Sequence, residues 1–120
     1  VQDTRKEARR LAEIGLRRAV VQAAATGQIG LADRVRADAP LEQLIAAYDV
    51  HVGAPDDVIA SLRADRTLAR VTDLVCQVHS VDPPHAAILR SIELTATVVA
   101  PALGWARDTG VPDLQSLALL

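Results

Sequence analysis

The chain contains no phenylalanine and no methionine, and its aromatics stop at Tyr48 and Trp105. A hydrophobic core must therefore be assembled from Ala, Val, Leu and Ile. Single-stranded nucleic acid is held on platforms of several aromatics, so that class of function has no support here. Cysteine is nearly absent too. Cys76 stands alone, which excludes an intramolecular disulfide and any paired-cysteine metal or redox motif. A lone thiol fits a reducing, cytoplasmic setting. No stretch approaches the ~20 apolar residues that a membrane helix needs. The N-terminus lacks the charged, apolar and small-residue regions of a signal peptide. Charge of one sign is also missing: 13 Lys plus Arg face 15 Asp plus Glu, a net charge of −2, so nothing advertises a phosphate backbone or a nucleic-acid partner. Twelve of the cations are Arg, a bias of composition rather than a phosphate site. There is no GxGxxG, no Walker A loop, no HExxH and no GxSxG.

What remains is a chain of 120 residues that is half apolar, enough for one domain with a packed core. Thr4 and Glu7 have the spacing of a capping box, and the apolar period from Ala8 to Val20 predicts a helix ending near Gly27. At ~1.5 Å per residue it would span roughly 35 Å. A short helix is expected in "LADRVRADAP", stopping before Pro40. A second, "LEQLIAAYD", sets Leu41, Leu44, Ile45 and Tyr48 on one face. "VHVGAP" rises briefly in β-propensity. Pro55, Asp56 and Asp57 then suit the first turn of a helix carrying Val58, Ile59, Leu62 and Leu68.

"TDLVCQVHS" is the strongest strand signal in the chain. Alternation sends Leu74, Cys76 and Val78 to one face, and Val75, Gln77 and His79 to the other. Pro83 and Pro84 introduce a last long helix. Its apolar residues Leu89, Ile92, Ala96, Val99 and Leu103 repeat at 3-4-3-4 spacing, which predicts a buried stripe. Pro101 should end or kink it. The resulting order is a helical segment over 1–49, strand-helix-strand-helix over 50–104, and a tail over 105–120. Strands joined through a helix run parallel, and one or two of them do not close a sheet. The second half therefore reads as a piece of something larger, and a start at Val1 rather than Met points the same way.

Several of these residues carry a family likeness. "VGAPDDVIASL", then "DLVCQVH", then "PPHAAILRSIELTATVVAPAL" resembles the C-terminal end of the luciferase-like flavin-dependent monooxygenases. "LRSIEL" with "VAPAL" is the most specific piece, and "VQDTRKEARRLAEIGL" is similar to the segment that opens the family's penultimate long helix. Ala54 and Thr95 depart from the pattern, where the family carries a hydroxyl cap and a Phe. The resemblance implies an α/β fold: the C-terminal fragment of a TIM (β/α)8 barrel, mostly helical with one or two short parallel strands. It implies reduced FMN, or deazaflavin F420, together with a small organic substrate. It also implies that the missing barrel strands supply most of the flavin-phosphate contacts. This chain alone is then expected to be inactive and to bind no flavin tightly.

By barrel logic the chemistry sits at the C-terminal ends of strands. Gln77 and His79 would face the interior, with His79 and Ser80 at the mouth, where an imidazole and an amide can hydrogen-bond a flavin ring or substrate. His79 equally reads as a strand-end residue satisfied by a neighbouring backbone group. Cys76 is expected to pack as a small buried hydrophobe, and His85 to sit exposed or capping at a helix start. Cys76, His79, Asp82 and His85 offer metal-ligating atoms, but the strand directs Cys76 away from His79, so no metal site is expected. The alternative function is a non-enzymatic, α-rich self-associating module. Its apolar faces on Leu89, Ile92 and Val99 would be covered by another copy of the chain, where the flavoenzyme reading covers them with the remainder of the barrel.

Overall fold

The computed structural model describes residues 1–27, 35–78 and 83–105. Among these residues every regular element is helical: α1 (Arg5–Thr26), α2 (Leu41–Tyr48), α3 (Pro55–Ala64), α4 (His85–Leu94) and a last turn, α5 (Ala100–Ala102). A 3-10 turn, Leu68–Arg70, follows α3, and a π turn, Thr95–Val99, joins α4 to α5.

The caps explain most of the boundaries. Thr4 Oγ1 accepts the backbone N–H of Glu7 at 3.3 Å, which satisfies one of the unpaired donors of the first turn. Only that half of the capping box forms, because the Glu7 carboxylate takes the Arg10 guanidinium instead, at 2.7 and 2.9 Å. Gly27 closes α1 in the left-handed region, φ 65°, where glycine meets no side-chain penalty. At α3, Ala54 has no hydroxyl to offer, and the Asp57 carboxylate accepts the Ala54 N–H at 3.0 Å from inside the helix. Gly53 holds φ 154°, and a Cβ there would lie 2.4 Å from Cβ of Asp57, so the approach to α3 demands glycine.

The α/β expectation is overturned: no described residue belongs to a strand. Residues 51–52 and 73–78 carry β-favouring side chains and lie outside the helices, yet neither segment joins a ladder. A strand is defined by its neighbour, and an isolated extended segment has none to share its N–H and C=O groups. Without a sheet there is no barrel wall, so the TIM-barrel fragment falls as well. The helix expected in "LADRVRADAP" is absent over its described part, where Val35–Pro40 forms a turn. Its Leu31–Arg34 lies outside the described residues, as does the tail after Trp105.

Two small cores replace a single large one. The first gathers Leu16, Val20, Val35 and Leu44, with Leu41, Ile45 and Tyr48 partly buried against them. The second gathers Val58, Ile59, Leu62 and Val99, with Leu68 and Leu103 at its edge. Helix α1 packs into the first through Leu16 and Val20 and is tied to its neighbours by ion pairs. Its Arg5 pairs with Asp57 of α3 and its Arg9 with Glu42 of α2. Farther along, Arg17 donates to the carbonyls of Ala37 and Ala39 at 2.6 and 2.9 Å.

The stripe expected to be buried on α4 faces out. Leu89 is 53% exposed, Ile92 47%, and Ala96 is also exposed. Ser91 and Leu94 are buried in their place, at 4% and 6%. Val99 is buried as expected, and Leu103 is half-buried. The π turn accounts for the change of side. Pro101 has no N–H and its ring crowds the carbonyl four residues back, and widened turns relieve such conflicts. Here Ala100 N–H bonds to Thr95 O, five residues back. The extra residue in that turn rotates Val99 away from the line of Leu89 and Ile92 and onto the side of Ser91 and Leu94.

Two outcomes follow. Leu44 is fully buried, so Leu44→Ala should lower the unfolding free energy by about 3 kcal/mol, whereas Leu89→Ala should change it by less than ~0.5 kcal/mol; urea denaturation compares them. Hydrogen bonds from Arg5, and then the Ala54 N–H, hold the Asp57 carboxyl below its ordinary value of 3.8. Its contribution is therefore complete above that pH and lost as the pH falls through the depressed folded value. Denaturation profiles from pH 6 to pH 2 should show Asp57→Asn losing less stability on acidification than the parent chain.

Candidate functional site

Small side chains on α1 and α4 leave room between the helices and the two extended segments. The result is a cavity of about 340 Å³, near the lower end of ordinary ligand pockets. Ala8, Leu11 and Ala12 of α1 and Val58 and Leu62 of α3 form its apolar floor. Ala87, Ser91, Thr95 and Val99 form the wall contributed by α4 and the π turn. The hydroxyl of Thr95 donates to the carbonyl of Ser91 at 2.7 Å, beside the backbone N–H of Thr95, so this side chain's polar group is satisfied within the helix at the cavity wall.

One end of the cavity is polar. His51 Nδ1 lies 2.7 Å from Ser61 Oγ, and Asp49, His51 and Asp65 all line the wall there. Asp65 accepts the backbone N–H of Thr67 at 2.8 Å, and that bond holds its carboxyl below the ordinary range, with His51 a smaller influence. This end was not legible in the sequence. "VHVGAP" shows only β-propensity, and nothing in it announces that His51 meets Ser61 ten residues on.

Of the sequence-predicted residues, Gln77 reaches the cavity wall. His79 and Ser80 lie outside the described residues. Cys76 lines the same cavity as Gln77 and is exposed rather than packed away. Alternation separates these two only in a pleated strand held flat by a ladder. Without the ladder, nothing forces neighbouring side chains to opposite faces, and Val75 between them stands 91% exposed. His85 is exposed in the first turn of α4. Among the described residues no group of three His, Cys, Asp or Glu is placed to hold a metal ion. No described helix is long and apolar enough to cross a membrane.

FMN and F420 both carry phosphate, and the cavity does not fit them. Among the described residues no Lys or Arg side chain lines it, while Asp49 and Asp65 do. A phosphate placed there would meet carboxylates instead of cations. No known family model matches the chain, and neither does any curated protein.

An exposed thiol at the cavity mouth is directly measurable. Cys76 in the native protein should react with a disulfide reagent within roughly tenfold of the rate in denaturant, whereas a thiol buried on a packed face would be protected far more strongly.

Proposed function

We propose that this chain works as a non-catalytic, α-rich module whose role is self-association. The observation that carries the reading is the outward face of α4, where Leu89, Ile92 and Ala96 are exposed on successive turns. Isolated surface hydrophobes are ordinary, but a contiguous apolar line along one helix marks a surface that another molecule covers. Sedimentation equilibrium tests the reading. The average mass should rise with concentration toward twice the 12.7 kDa of the chain. A constant mass up to ~1 mM contradicts the proposal.

A second reading rests on a different observation. The motif most similar to the luciferase-like flavin-dependent monooxygenases, "LRSIEL", is α4 itself from Leu89 to Leu94, and Gln77 stands on the neighbouring cavity wall. In this reading the chain is a portion of such an oxidoreductase and is inactive alone, with the flavin and its small organic substrate held elsewhere in the enzyme. Anaerobic titration with reduced FMN should then show no saturable binding by this chain below ~1 mM. Micromolar binding, or flavin-dependent oxygen consumption, would overturn it.

A further inference from the structure

We infer that two copies pair through α4 in an antiparallel, two-fold arrangement centred on Leu89, with His85 of each copy opposite the partner's Glu93. This deepens the self-association reading and rests on it.

Around Leu89 at 100° per residue, His85 and Ile92 fall 40° and 60° to one side, and Ala86 and Glu93 fall 60° and 40° to the other. All five side chains are exposed. His85 lies four residues before Leu89 and Glu93 four after, roughly 6 Å along the axis in each direction. A two-fold axis through the level of Leu89, perpendicular to the helices, therefore brings His85 level with the partner's Glu93 on both sides of the contact. The same operation sets Leu89 against the partner's Leu89. It also lays Ile92 beside the imidazole of the partner's His85, and Ala86 leaves room for the stem of the partner's Glu93.

A parallel arrangement loses this match, because like then faces like and Glu93 opposes the partner's Glu93. An isologous contact needs a surface complementary to itself, and the antiparallel register supplies an imidazole facing a carboxylate at its ends, donor to acceptor, and apolar contact at its centre. Arg90 does not compete for the face. It is turned aside to Asp3 at 2.6 Å and to one Glu93 oxygen at 2.7 Å, which leaves the second Glu93 oxygen for the partner. A single helix face of this length buries less than the ~1,200 Å² of a standard interface, so the dimer is weak and concentration-dependent.

The test uses the full chain with Cys76→Ser to remove the native thiol. Leu89→Cys in that background should form a symmetric disulfide dimer under mild oxidation, since the axis brings the two residue-89 positions together. In sedimentation equilibrium, Leu89→Asp should weaken the dimer at least tenfold. His85→Glu and Glu93→Lys should each weaken it a few-fold, and the double variant His85→Glu/Glu93→Lys should recover most of the loss. Circular dichroism of each variant verifies that the helices persist; the substituted positions are exposed. A dimer that ignores Leu89→Asp, fails to cross-link at position 89 and shows no recovery in the double variant overturns the α4 pairing and leaves self-association standing. A chain that stays monomeric throughout overturns both.

Discussion

The structure depends on α1 packing into one small core and holding α3, which builds the other, through the ion pair of Arg5 with Asp57. A chain without Phe or Met, whose aromatics are Tyr48 and Trp105, has few bulky side chains with which to fill one central core, and it buries aliphatic groups in two places. Helix α1 contributes Leu16 and Val20 to the first, and its N-terminal half reaches α3 through Arg5 and Asp57. These ion pairs sit near the surface, where screening keeps each contribution small. Their role is to set the angle and register of α1 against α2 and α3, while burial of Leu44, Leu16 and Val20 supplies most of the stabilisation.

The same economy of side chains creates the cavity. Ala8, Ala12, Ala87 and Ser91 face one another where a fold richer in aromatics would place bulk. The π turn before Pro101 settles which side of α4 closes over that space. With Ser91 and Leu94 turned in, Leu89, Ile92 and Ala96 are left outside. The outward apolar line on which the functional reading rests is thus a packing consequence of a proline sixteen residues into the helical run.

Helix boundaries were legible in the sequence because they are local. Thr4, Gly27, Pro55 and Pro84 each act within a turn of their own position, and the structure places α1, α3 and α4 beside them. The strand at "TDLVCQVHS" was not, because alternation describes a face and says nothing of a pairing partner. The phase of α4 departs from its apolar spacing for a related reason. Two lines run along this helix, one of Leu89, Ile92 and Ala96 and one of Ala87, Ser91, Leu94 and Val99. Side-chain size favours the first, and only the π turn, which no periodicity of 3.6 contains, brings Val99 onto the second. At the cavity, Gln77 stands on the wall, while His51, Ser61 and Asp65 meet through tertiary packing that no local pattern encodes.

The most direct measurement of the central claim is a distance across the pair of α4 helices. With Cys76→Ser and a nitroxide on Thr97→Cys, antiparallel pairing about Leu89 places the two labels about 24 Å apart along the axis, from eight residues on each side at 1.5 Å. Pulsed dipolar spectroscopy should give a distribution centred near ~25 Å that strengthens with concentration. Line broadening from labels about 10 Å apart would mean parallel helices, and an absence of dipolar modulation at high concentration would mean no pairing through α4; either result contradicts the account.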